Sequence, residues 1–193
     1  MKELNFFDKI GLIISHPHKF FEEIKEEKNI WKVFEFYFAL VLISAVINSI
    51  FIMPELVKNK MFLGPVYFTL IIIIFIIAIL LAVSLISCLS FGIFWLNHII
   101  IKIFNGKKRF KETYQTLYAS TPLLLACLIP YYGFFKILFY PVLAIALVDS
   151  VYIEYIALQK LQKLSKENAI AVIIIGLLFF FIIFKIFMKT KIL

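Results

Sequence analysis

The chain has 193 residues, 63% of them hydrophobic and 18% aromatic, with a mean hydropathy of +1.00. A soluble domain is roughly half apolar, so this composition excludes disorder, a disulfide-rich secreted module and an ordinary cytosolic enzyme. The 20 basic residues, all Lys but Arg109, exceed 12 acids for a net charge of +8, and they sit between apolar segments; that pattern points to positive-inside topology and anionic lipid headgroups rather than nucleic acid.

Residues 1–32 read as a cytoplasmic amphipathic segment. Phe6, Phe7, Ile10, Ile13 and Ile14 recur at helical spacing, and Ser15-His16-Pro17-His18 follows. Proline suits the first turn of a helix, where its missing N–H leaves nothing unpaired. A second helix from Pro17 to about Lys28 places Phe20, Phe21 and Ile24 on one face. That face either lies in the membrane interface or packs on the protein's own cytoplasmic loops. The first apolar run begins only near Val33, later than the core of a cleavable signal peptide, so the first span is expected to be retained.

Residues 33–188 read as a membrane domain with spans at about 33–53, 65–101, 114–129, 135–158 and 169–184. Pro54 is expected to end the first. The stretch Met61–Ile101 has no Asp, Glu, Lys or Arg and exceeds the roughly 20 residues that one crossing needs. Charge arbitrates between one long helix and two spans. With five spans, 14 basic residues lie inside and six outside; splitting the stretch gives ten on each side. The bias favours one long helix, tilted or protruding. Asn105-Gly106 then makes a turn before the basic loop Lys107–Lys111, of which Lys107, Lys108 and Arg109 are read with Phe20 and Phe21 as membrane-surface residues. The third span is the most polar, and Pro122 inside it removes a hydrogen bond and kinks it, so it is expected to be enclosed by the others. Pro130-Tyr131-Tyr132-Gly133 turns the chain, and Gln159–Asn168 links the last two spans. Cys88 and Cys127 lie in apolar segments as fillers. The fold class is therefore all-α, a polytopic helix bundle preceded by amphipathic helices.

Three segments together resemble the Yip family, the Ypt/Rab-interacting membrane proteins. They are His16-Pro17-His18-Lys19-Phe20-Phe21-Glu22-Glu23-Ile24, the loop Phe104-Asn105-Gly106-Lys107-Lys108-Arg109-Phe110-Lys111-Glu112-Thr113, and Leu117-Tyr118-Ala119-Ser120-Thr121-Pro122. The Ser165-Lys166-x-x-Ala169 approach to the last span fits as well. The resemblance implies five spans with a cytoplasmic N-terminus, in agreement with the charge tally. Eukaryotic members act in vesicle traffic and bind prenylated Rab GTPases. The sequence holds no Asp-Leu-Tyr-Gly-Pro element, so that role is not carried over. Lys-over-Arg and Ile-rich usage suggests a prokaryotic cell membrane.

Ionisable residues within membrane segments are candidates for function by default. Asp149 and Glu154 fall on the fourth span, and His98 with Lys102 on the inner end of the second. Glu35 reads as interfacial. His98 and Glu154 are expected to share a depth and to pair. Asp149 is expected deeper, with no basic residue at its level and Tyr118, Asn97 or a serine as partner. No nucleophile with an oriented base appears, so no catalytic residue is assigned. Metal binding by His16 and His18 lacks further ligands, and no cofactor motif is present. Glu22-Glu23 resembles the paired Glu of intramembrane prenyl-protein proteases, without their His and Asn ligands. The leading function is non-enzymatic: organising a membrane, or binding a peripheral partner or a second copy. The alternative is a small transporter or channel using Asp149, Glu154 and the Pro122-kinked helix, although no inverted repeat is visible.

Overall fold

The computed structural model describes residues 4–25, 29–58, 64–131 and 135–189. Among them every regular element is helical: α1 Phe6–Ser15, α2 Pro17–Ile24, α3 Trp31–Lys58, α4 Gly64–Ile103, α5 Phe110–Gln115, a 3-10 segment Thr116–Ser120, α6 Thr121–Ala126, α7 Lys136–Gln162 and α8 Lys166–Lys189. The all-α expectation holds. Two of these helices are long and apolar enough to cross a membrane, over Trp31–Phe51 and Lys136–Gln162, and α4 carries shorter apolar stretches at Ile72–Leu85 and Gly92–Ile103.

Local chemistry explains where the helices begin and end. Asn5 caps α1, its side chain accepting the Asp8 N–H at 2.8 Å. Pro17 opens α2. Pro54, expected to stop α3, does not: the helix runs on to Lys58, because one lost hydrogen bond does not outweigh the surrounding turns. The long stretch is a single helix, the 40-residue α4, roughly 60 Å at 1.5 Å per residue. Asn105 ends it in the left-handed region at φ 65°, and the Gly106 N–H returns to the Ile101 carbonyl at 2.8 Å. A β-carbon on Gly106 would sit 2.8 Å from that same carbonyl oxygen, so only glycine fits the turn.

The segment expected as a kinked third span is not one helix. It is two six-residue helices with a 3-10 segment between them. Side-chain hydroxyls account for the change. Thr116, Ser120 and Thr121 donate to the carbonyls of Thr113, Leu117 and Tyr118, each at 2.7 Å. Such bonds three residues back compete with the α-helical ladder. Pro122 has no N–H for the Tyr118 carbonyl, and both the backbone N–H and the hydroxyl of Thr121 supply it instead. Pro122 therefore opens α6 rather than bending a continuous helix.

The helix ends assemble in register. At one end, the Lys107 N–H meets the Gln162 carbonyl at 3.4 Å, and Asn168 Nδ2 donates to the Phe104 carbonyl at 3.0 Å. The end of α4, the end of α7 and the start of α8 thus lie together. At the other end, Phe51 of α3 meets Phe135, just before α7, with centroids 5.5 Å apart. Between them Ser44 and Asn48, one turn apart on α3, donate to the free Cys127 carbonyl at 2.7 and 2.8 Å.

Burial is divided along the same axis. Val33, Phe36 and Leu40 of α3, Ile153, Ile156 and Leu161 of α7, and Ala169 and Val172 of α8 are buried. Farther along these helices, Ile43, Val46, Ile50, Ile145, Val148, Leu178 and Phe181 are exposed. Helix α4 exposes apolar side chains between Ile73 and Leu85 and between Ile93 and Ile103, with Val83 and Ile101 turned into the protein.

Phe20 and Phe21, read as membrane-surface residues, are instead fully buried with Ile24 in the core formed with Phe36, Tyr118, Ile153 and Ala157. Of the two readings of this face, the structure selects packing on the protein itself. Burying a large apolar side chain is worth about 1.5–3 kcal/mol whichever apolar environment receives it, and Tyr118 and α7 supply a close-packed one. The outer side of α1 keeps Phe7 and Ile14 exposed.

Candidate functional site

Two polar groupings stand out in this apolar chain. The first lies where α4, α5 and α7 meet. His98 Nδ1 lies 2.7 Å from Thr113 Oγ1, which also accepts Gln162 Nε2 at 2.8 Å. Both Thr113 and Gln162 are fully buried. With Gln162 donating, the Thr113 hydroxyl proton is free to go to His98 Nδ1. The neighbouring Gln115 donates through Nε2 to the Ile24 carbonyl at 3.0 Å, the free carbonyl at the end of α2. These bonds tie the N-terminal hairpin, the basic loop and the end of α7 into one unit.

The expected His98–Glu154 pair does not form. His98 is held by Thr113, and Glu154 faces the Asn97 side chain instead. Adjacent residues on α4 thus serve two partners, because successive side chains on a helix point about 100° apart. Thr113 and Gln162 escaped the sequence reading because they fall in segments read as a loop ending and a linker. A buried threonine beside a histidine on an apolar helix carries no periodic signal.

The second grouping surrounds Asp149. Asp149, expected deep on the fourth span, is exposed on α7, and with Tyr152 it lines a cavity shared with His16, His18 and Lys19. The expected absence of a basic residue at its level is corrected by the α1–α2 turn, which folds back beside mid-α7. Sequence separation hid this approach. Its expected partners are engaged elsewhere. Asn97 serves Glu154, while Tyr118 is buried with its ring 5.0 Å from Phe20 and its hydroxyl 3.4 Å from Lys9 Nζ.

Lys160 on α7 forms an ion pair with Glu22 on α2. Its hydrogen bond and its charge hold the Glu22 carboxyl below the usual glutamate range. In the basic loop Lys107 and Arg109 are exposed and Lys108 is half-buried. Glu35 is exposed at the start of α3. Among the described residues no three His, Cys, Asp or Glu side chains come together as a metal site would need.

Comparison with curated proteins finds no match, and neither does comparison with solved structures. The family model of the Yip1 domain matches residues 10–188, which takes in the second half of α1, α2, the basic loop and the Pro122 segment alike. With helices apolar enough to span a bilayer and nearly the whole chain matched, this protein belongs to the Yip1-domain family of membrane proteins.

Proposed function

We propose that this chain crosses the bilayer five times, with its N-terminus and basic loop in the cytoplasm, and acts without catalysis as a membrane-embedded platform for a peripheral protein partner. The observation that carries this reading is the division along α7. Its first half presents Ile137, Leu138, Ile145 and Val148 outward, as a lipid-facing surface would, whereas Ile153, Ile156, Ala157, Leu158 and Leu161 are closed in by protein. On this reading the third crossing is made by the broken segment from Phe110 to Tyr131, which starts beside the end of α4, while Phe135, just before α7, lies at the Phe51 level of α3. The packed end is then a small cytoplasmic head, built from α1, α2, α5 and the ends of the long helices, with Lys107 and Arg109 on its surface. Irregular backbone at membrane depth is tolerated when protein encloses it, as Ser44 and Asn48 do for Cys127.

The transporter alternative draws less support. Glu154 lies beside Asn97 of α4, whereas Asp149 lines the cavity by the α1–α2 turn. Photo-cross-linking from Lys107 and Arg109 positions in intact cells tests the platform reading. A discrete protein adduct at these positions, with none from Val148, is the expected result. Adducts to lipid alone, together with ion or solute flux in proteoliposomes, would favour the transporter.

A further inference from the structure

The cavity beside Asp149 has a volume of about 420 Å³, within the roughly 300–1,000 Å³ range of small-ligand sites. Its walls carry charge of both signs. Asp149 and Tyr152 come from α7, and His16, His18 and Lys19 from the turn between α1 and α2, with Ile153 as an apolar wall. Its position is specific. Just before Asp149, α7 exposes Ile145 and Val148, and just after it Ile153 and Ile156 are buried by protein. If α7 crosses the bilayer as proposed above, this is where its lipid-facing part gives way to the protein-covered part, and a headgroup drawn toward the hairpin would meet the cavity here.

We propose that this cavity binds the headgroup of an ethanolamine phospholipid. The ligand must satisfy a carboxylate and a cationic edge together. A phosphate diester bearing a primary ammonium does so: the ammonium goes to Asp149 and the phosphate to Lys19 and His18. Lys19 is available, since its pairing with Glu23 is an exposed one at 4.0 Å. His16 adds a second acceptor. The Ser15 hydroxyl donates to the Gly11 carbonyl at 2.6 Å, so its oxygen must accept from His16 Nδ1–H at 2.9 Å. A neutral His16 therefore keeps its Nε2 lone pair for an N–H donor. A purely anionic headgroup would gain Lys19 but leave its charge facing Asp149. A choline headgroup has the charge without the N–H donors that a carboxylate accepts. The acyl chains would lie along Ile145 and Val148, which are open on the same helix.

The inference rests on the membrane reading, and the two are separable. Carbonate extraction of membranes reads insertion; native mass spectrometry of the delipidated full chain in micelles reads headgroup choice. With ethanolamine, choline and glycerol phospholipids of matched chains, the ethanolamine lipid should be retained about tenfold over choline, the size of one charged hydrogen bond. Asp149→Asn should abolish that preference and Asp149→Glu should keep it. Lys19→Gln with His18→Gln should weaken all three lipids. Equal retention of ethanolamine and choline lipids, or an unchanged preference in Asp149→Asn, overturns the site while leaving insertion intact. Displacement by water-soluble phosphoethanolamine at equal concentration makes the ligand a free phosphate ester and overturns the lipid assignment. Extraction of the wild-type chain by carbonate overturns the membrane reading and this inference with it.

Discussion

Phe20 of α2 and Tyr118 of the 3-10 segment meet edge to face, with ring centroids 5.0 Å apart and planes at 83°. The contact fixes the N-terminal hairpin to the middle of the molecule, and Phe36 of α3 closes on the same tyrosine at 5.1 Å. Offset and edge-on aromatic pairs add about 0.5–1.5 kcal/mol to the burial of their area. Truncating Phe20 also leaves a cavity. Phe20→Ala should therefore destabilise the detergent-solubilised chain by about 3–5 kcal/mol, read from thermal unfolding, whereas Phe7→Ala on the exposed side of α1 should change it little in detergent.

The basic loop depends on a glycine. Gly106→Ala places a methyl 2.8 Å from the Ile101 carbonyl oxygen, and relieving that clash should cost about 1–3 kcal/mol. Asn105→Gly should be tolerated, because residue 105 is left-handed at φ 65° and glycine adopts that conformation freely. Asn105→Val should be destabilising for the opposite reason. Melting temperatures of the three variants, compared under one detergent condition, give the order.

Buried polar bonding predicts a second stability difference. Thr113→Val removes the shared partner of His98 and Gln162 and leaves both unpaired in a closed interface. About 1–3 kcal/mol should be lost for a buried group left unsatisfied, while Thr113→Ser, which keeps the hydroxyl, should retain most of the stability. A serine variant as unstable as valine would show that the methyl packing, not the hydroxyl, holds these helices.

Legibility in the sequence followed the physics of each signal. Long apolar runs made the major helices plain, and the glycine and proline punctuation placed the basic loop. Pattern alone could not choose the surface that covers Phe20, Phe21 and Ile24, because lipid and protein bury an apolar face equally well. The broken helix around Pro122 was half legible. Proline announced an irregularity, but its form came from Thr116, Ser120 and Thr121 hydroxyls turning back on the chain. Asp149 and the His16–Lys19 turn are far apart in sequence, and only the fold of the hairpin along α7 brings them to one cavity.

The Glu22–Lys160 ion pair gives a pH dependence with a definite sign. Lys160 lowers the folded-state pKa of Glu22, so the pair's stabilising contribution is present above the unfolded glutamate value. It is lost as pH falls through the lowered folded value. Both side chains are well exposed, so salt should weaken the effect. Hydrogen-exchange protection factors in α2, with the intrinsic pH dependence of exchange taken out, should fall below the ordinary carboxylate range in the wild-type chain. In Glu22→Gln protection should be lower at neutral pH and less dependent on acid.

The orientation of the packed end is tested most directly by single-cysteine accessibility in a chain whose Cys88 and Cys127 are replaced by alanine. Lys108→Cys lies in the basic loop at the packed end, and Ile145→Cys on the outward side of α7, one turn before Asp149, where Ile145 is 63% exposed in the protein alone. A membrane-impermeant maleimide should label Lys108→Cys in inside-out vesicles only, and should label Ile145→Cys on neither side because lipid covers it. Labelling of Lys108→Cys in sealed right-side-out vesicles, or of Ile145→Cys from either face, would contradict a cytoplasmic head resting on a lipid-embedded part of α7.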